Sequence, residues 1–414
     1  MASYLFVTFA AGGNSIALLR LARRLAERGH QIVLLGSKAL EADAREHEID
    51  KFVPMTRIRA DIRDRETDPV RDWEARTQLG GMLRVTKWMF VDALPVAVDV
   101  SGEIAALKPD VVVVDAMLLG AIAAAEASKL PSATVMHGPW FLPTKGAVPF
   151  GLGRPPRRSV ASTSLVWGAR AMFDMLRAPV NRLRRDLGLP PVRHAVDQFL
   201  ALERTLVLSS AAFDVPPTPL PRGVHYVGPE LDRSSATYPV PDGDGPLVLA
   251  GFSTTYQGHE SLIQRVIDAL EALGVRGVVT TGPVDPGQFR VPPGVTVVSR
   301  APHAFLLRSA QASVTHAGHG TVMESLRAGV PLLCIPISRD QPDVAARVVH
   351  RGCGLATSRH SSTEEIRSAL GRVLQEPQLR QGAQDLSAAI RRDLEADQGI
   401  RQLEILASAK PTDG

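Results

Sequence analysis

Cysteine is almost absent from these 414 residues, occurring only at Cys334 and Cys353. Two thiols supply neither a disulfide framework nor a paired CxxC metal knuckle, so a reducing cytoplasm is the expected setting. Long hydrophobic runs are missing too. The longest apolar stretch, Val111 to Ala127, is interrupted by Asp115 and Glu126. It reads as a strand followed by a helix, so no integral membrane association is expected. The opening Met-Ala-Ser-Tyr-Leu-Phe-Val has no basic region and no small-residue cleavage site, and a signal peptide is not expected. Aromatics make up only 5% of the chain, and none is interleaved with a basic run in the manner of a nucleic-acid module.

The formal net charge is +4, carried almost wholly by arginine. Two local clusters stand out, Arg154/Arg157/Arg158 and Arg182/Arg184/Arg185. Both read as solvated faces, with an anionic acceptor or a membrane surface as the alternative, and no nucleic-acid partner is expected. Asp242-Gly243-Asp244 matches a DxD pattern that binds divalent ions elsewhere. Here it lies among prolines and glycines, which favours a solvated turn, and no metal is expected.

What is present is an alternation of short apolar runs and amphipathic segments. Leu5 to Ala10 is followed by Ala11-Gly12-Gly13-Asn14, a helical period through Leu18, Leu19, Leu21, Ala22 and Leu25, and a second strand from Gln31 to Gly36. Such a strand–glycine turn–helix–strand unit begins a doubly wound parallel sheet. Further strands at Val111 to Val114 and Ala133 to Met136 end in Asp115 and His137. Ligands collect at the carboxyl ends of parallel strands, so both residues are placed for chemistry.

A Pro-, Gly-, Ser- and Asp-rich stretch from about Pro216 to Gly245 then reads as a linker. Beyond it the alternation restarts: Leu247 to Ala250, the Ser253-Thr254-Thr255 loop, a helix over 261–273, and strands at 278–279, 295–298, 314–315 and 331–336. The fold class is therefore α/β, with two Rossmann-like lobes in tandem. The boundaries predicted are an N-terminal domain over 1–225, a linker over 226–245 and a C-terminal domain over 246–390. A final helix over 391–414 is expected to pack back toward the N-terminal domain. All four tryptophans (Trp73, Trp88, Trp140, Trp167) precede the linker, which suggests an apolar pocket in the first lobe.

The most informative stretch is His316-Ala-Gly-His-Gly-Thr-Val-Met-Glu324, then Gly329-Val330-Pro331, then Asp340-Gln341. Gly318 and Gly320 permit a tight turn at a helix start, where exposed N–H groups and the helix dipole favour a diphosphate. Thr321 is placed to cap that helix and donate to a phosphate oxygen. His316 adds a ring N–H, or a charge if protonated. Glu324 lies on the same face, suited to ribose hydroxyls, and Asp340-Gln341 suits vicinal sugar hydroxyls.

In this ordered combination the chain resembles the inverting family 1 glycosyltransferases of the GT-B fold, close to their bacterial macrolide-type branch. The resemblance implies two Rossmann-like domains facing a central cleft, and a metal-free hexosyltransferase with no cofactor beyond its nucleotide diphosphate sugar. By the same resemblance Arg300 stacks on the nucleobase and the Ala301 backbone reads its edge. Ser253, Thr254, Thr255, His316, Gly318, His319, Gly320, Thr321, Glu324, Asp340 and Gln341 then complete the donor site. A UDP-sugar is favoured over a dTDP-sugar. A small, largely apolar acceptor is expected against Gly13, Trp73, Trp88, Trp140 and Phe141, and a homodimer is left open.

One position departs from that pattern. Many members carry, sixteen residues before the position of His30, a histidine that deprotonates the acceptor and is oriented by an aspartate matching Asp115. Here that position is Asn14, which has no basic lone pair at neutral pH. The catalytic set expected is Asp115, Asn14 and His137, with Asp115 ranked above His137 as base, or an acceptor that is already nucleophilic. The rival readings are a catalytically impaired binding protein, a sugar-nucleotide epimerase of similar fold and, more remotely, a dinucleotide-dependent dehydrogenase. The first turn lacks GxGxxG, which weakens the last of these.

Overall fold

Runs of valine and leucine buried on both sides build two sheets in the computed structural model, which describes residues 1–57, 65–68, 70–75, 77–91, 93–233 and 235–408. The first sheet holds β1 (Ser3–Thr8), β2 (Gln31–Gly36), β3 (Lys51–Pro54), β4 (Val111–Asp115), β5 (Ser132–Met136), β6 (Arg204–Val207) and β7 (Val224–Tyr226). Their spatial order is β3-β2-β1-β4-β5-β6-β7, all parallel. The second holds β8 (Leu247–Gly251), β9 (Arg276–Thr280), β10 (Val295–Val298), β11 (Ala310–Thr315), β12 (Leu332–Cys334) and β13 (Gly354–Ala356). Its order is β10-β9-β8-β11-β12-β13, again parallel.

Helices cover both faces, so these strands read as continuous apolar runs. Leu5 and Val7 of β1 join the core on one face of the sheet, while Tyr4 and Phe6 join the core on the other. In each lobe the strand order reverses beside the first strand, between β1 and β4 and between β8 and β11. Those reversals open crevices at the carboxyl ends of the strands, where a doubly wound sheet binds its ligands.

The chain crosses back at its end. The helix Pro377–Ala396 breaks at Asp397, whose φ of 53° is left-handed, and the helix Gln398–Ser408 follows. The break thus falls later than the expected boundary at 391. Ile400, Leu403 and Leu406 enter the N-terminal core, and Tyr4 Oη donates to the Leu403 carbonyl at 3.2 Å. Arg28 pairs with Asp397 at 2.6 Å and Glu404 at 3.0 Å, fastening the same junction. Among the described residues no helix is long and apolar enough to cross a membrane.

Candidate functional site

A cleft of about 1930 Å³ lies between the lobes, lined from both. Its C-terminal wall is built on β11 and the helix His319–Arg327. The helix N-cap is Gly318, and no side chain caps it. The expected cap by Thr321 is therefore corrected: Thr321 sits inside the first turn, lines the cleft, and leaves the first N–H groups open for an anion. The left-handed residue of the turn is Ala317, φ 66°, rather than either glycine. Gly318 is needed for another reason. A Cβ there would stand 2.5 Å from Nε2 of His316, so only glycine lets the imidazole lie over the turn.

His316 Nδ1 stands 3.3 Å from the Gly251 carbonyl, and burial pulls its pKa down to about 4. It is neutral at pH 7, with Nδ1–H donating to that carbonyl. His319 turns toward the N-terminal lobe, its Nε2 lying 3.1 Å from Ser209 Oγ, and burial lowers its pKa to about 4 as well. Glu324 lines the cleft with Oε1 accepting from Asp232 N at 2.5 Å and Oε2 lying 2.8 Å from Arg327. Burial raises its pKa against the pull of Arg327.

Arg300 and Ala301 border the cleft after β10. Ser253, Thr254 and Thr255 follow β8. Ser253 Oγ and Thr255 Oγ1 are 3.0 Å apart, while Thr254 is exposed. Asp340 and Gln341 also face the cleft, but in different ways. Gln341 Oε1 accepts from Ile337 N (2.8 Å) and Ser338 N (3.0 Å), and its amide donates to Gln257 at 2.9 Å. Most of its hydrogen-bonding capacity thus holds the loop, which leaves one amide hydrogen for a sugar hydroxyl. Burial pushes the Asp340 pKa up, against the charges of Arg339 and Arg347.

The opposite wall comes from β1, β4, β5 and two apolar helices. Gly13 and Asn14 open the helix Gly13–Glu27 and are both exposed to the cleft. Asp115 is fully buried and does not line the cleft. It accepts from Thr8 Oγ1 at 2.8 Å and Met117 N at 2.9 Å, and its Oδ2 stands 3.0 Å from His137 Nε2. Burial pushes its pKa up, but the His137 charge and these bonds outweigh that and hold it below the usual range. His137 does line the cleft, its side chain 4% exposed; both ring nitrogens are buried, Nε2 beside Asp115 and Nδ1 with no protein partner among the described residues. The ranking of Asp115 above His137 as the group that meets an acceptor is reversed by this geometry: the carboxylate stands behind the imidazole.

The aromatic expectations divide. Trp88 and Phe141 line the cleft, Trp88 against Phe9 (ring centroids 4.8 Å apart) and Phe141 against Phe199 (5.7 Å). Trp140 does not. It is 2% exposed, with Nε1 donating to the Leu142 carbonyl at 2.8 Å, and belongs to the core. Trp73 packs edge-on to Tyr256 of the other lobe at 5.3 Å and is not among the lining residues.

Several contributors escaped the sequence reading. Arg339 donates to Asp72 at 2.8 and 3.0 Å and to Thr255 Oγ1 at 3.0 Å, tying the lobes together. Gly12, φ 62°, abuts the hydroxyl loop so closely that a Cβ would stand 2.7 Å from Thr254 Oγ1. Arg347 pairs with Asp214 at 2.6 Å, both wholly buried, and Gly151 N donates to Asp343 at 2.9 Å. Arg339 adjoins Asp340-Gln341, a weak signal, but its partner Asp72 lies 267 residues away.

Comparison with known proteins agrees with this architecture. Residues 264–397 match the erythromycin biosynthesis protein CIII-like C-terminal domain. The 4'-demethylrebeccamycin synthase of Lentzea aerocolonigenes is 28% identical over 400 residues, covering 92% of this chain and 93% of that protein. The calicheamicin glycosyltransferase CalG4 superposes with a TM-score of 0.78 at 18% identity, covering 99% of each chain. The glycosyltransferase VinC, solved in complex with dTDP, gives a TM-score of 0.70 at 20% identity, covering 98% of this chain and 99% of that one. With two doubly wound lobes and these relatives, this chain is a glycosyltransferase of the GT-B fold.

Proposed function

We propose that the protein is an inverting, metal-independent hexosyltransferase that moves a sugar from UDP to a small, largely apolar acceptor. The observation that carries this reading is the facing of two groups across one cleft: His137, backed by Asp115, and the uncapped turn from His316 to Thr321. The turn offers N–H dipoles to the departing diphosphate, already oriented before the reaction begins. Glu324 supports UDP over dTDP by offering a carboxylate where a ribose carries hydroxyls, although that carboxylate also serves Asp232 and Arg327.

In the forward step the acceptor hydroxyl gives its proton to the His137 imidazole, and its oxygen attacks the anomeric carbon. The bond from that carbon to the β-phosphate oxygen breaks, and its electron pair leaves with UDP. Asp115 fixes the ring and balances the imidazolium that forms. Asn14 is proposed to orient the acceptor. Trp88, Phe141 and Phe9 supply the apolar wall against which the acceptor rests.

The test is a titration with UDP, dTDP, GDP and NAD, followed by slow hydrolysis of the matching nucleotide sugars without acceptor. Tight UDP binding, UDP-hexose hydrolysis and loss of both in His316→Ala are expected. Preference for dTDP would overturn the donor assignment. Release of an altered nucleotide sugar would favour an epimerase, and binding of NAD alone would end the reading.

A further inference from the structure

The helix Val160–Asp174 buries two of its sides and still carries large apolar side chains on the third, which calls for something to cover them. One side faces the core through Val166 and Phe173. A second lines the cleft through Leu165, Ala169 and Met172. The third points outward. Val160 and Trp167, two turns apart on one side of the helix, are 87% and 57% exposed, and Met175, the C-cap, is 80% exposed at the rim of the cleft. The capping box of Ser159 and Ser162 fixes where the helix begins, so this stripe has a defined orientation.

The chain around this helix is rich in positive charge. Between residues 152 and 186 the sequence holds eight arginines against two acidic residues, Asp174 and Asp186. The Asp174 carboxylate is taken by His194 and by Ala195 N. Arg184 is buried against Glu126. Arg154, Arg157, Arg177, Arg182 and Arg185 are exposed and make no ion pair among the described residues. Arg170 lies over the Trp167 ring at 5.7 Å.

We infer that this outward face docks on the surface of an anionic lipid bilayer, with the mouth of the cleft turned toward the lipid. An exposed tryptophan and valine suit the headgroup boundary, and free guanidinium groups suit its phosphates. The same helix lines the cleft through Leu165, Ala169 and Met172, so a docked protein opens its acceptor side where apolar molecules concentrate. The inference adds a location to the transfer reading and does not require turnover to be tested.

The experiment is co-sedimentation of the full chain with vesicles of phosphatidylcholine alone and of phosphatidylcholine with phosphatidylglycerol. Binding is expected only to the anionic vesicles, falling as salt rises. Val160→Ser/Trp167→Ser should weaken it at least about tenfold, and Arg157→Gln/Arg177→Gln/Arg182→Gln comparably. Both variants should keep wild-type melting temperature and UDP binding, because these side chains are exposed. Absence of binding to anionic vesicles, or equal binding by the variants, would overturn the proposal. So would a concentration-dependent dimer that Val160→Ser/Trp167→Ser abolishes without any vesicle binding, since the face would then serve a second copy.

Discussion

Arg339 reaches across the cleft and holds Asp72 with two hydrogen bonds, 2.8 and 3.0 Å long, while also donating to Thr255 of its own lobe. Asp72 is 1% exposed, so burial pushes its pKa up, yet the Arg339 charge outweighs that and holds it below the usual range. The lobes are thus joined by a charge pair at the donor loop, next to Asp340. Asp68 stands 3.7 Å from the same guanidinium. Removing one partner leaves a buried charge without its counterpart, which costs more than removing both.

Asp72→Ala should therefore lower kcat/KM about tenfold by misaligning the lobes. Asp72→Leu/Arg339→Met should recover part of that loss. A double variant whose deficit equals the sum of the two single ones would show that the pair does not act as a unit.

The pairing of Asp115 with His137 ranks three variants. His137→Ala should cost about 100-fold or more in kcat with an alcohol acceptor, and Asp115→Asn somewhat less. Asn14→Ala should cost less than either, because an amide orients but takes no proton. Phenols, which ionise more readily than alcohols, should be less sensitive to His137→Ala. Equal sensitivity across acceptors of different acidity would remove His137 as base.

His316 has its Nδ1–H turned to the Gly251 carbonyl, so a neutral ring presents only a lone pair at Nε2. To donate to a phosphate it must take up a proton, against burial that sets its pKa near 4. Binding of UDP near pH 6.5 should then be accompanied by proton uptake, seen by calorimetry in buffers of different ionisation enthalpy. Uptake that persists in His316→Gln would place the proton elsewhere.

Asp343 gives a pH dependence of stability with a clear sign. Burial raises its pKa from 3.8 to about 6, so the folded chain binds this proton more tightly than the unfolded one. Stability from this group is complete below its ordinary pKa and declines as pH rises through about 6. At pH 7 the loss is at most about 3 kcal/mol. The carboxyls of Asp72, Asp115 and Asp214 are shifted down, so their loss falls at lower pH. Asp343→Asn should raise the melting temperature at pH 7 and flatten its rise between pH 7 and 5. An unchanged profile would rule out Asp343 as its source.

The sequence by itself determined the two parallel sheets, because buried strands are written as local apolar runs. Val111 to Asp115 and Leu247 to Gly251 needed no distant information. It also marked the helix start at Gly318, since glycines, histidine and threonine at fixed spacing are a local signature. The short strands β6, β7 and β13 were not legible, having three or four residues and no alternation long enough to read. Only the tertiary structure decided which side chains meet. It sent Trp140 into the core and kept Trp88 on the cleft, though both are tryptophans in the same lobe. It put Asp115 behind His137, and it closed Asp72 onto Arg339. Such pairings join residues far apart in the chain, and composition, periodicity and spacing are local quantities that carry no record of them.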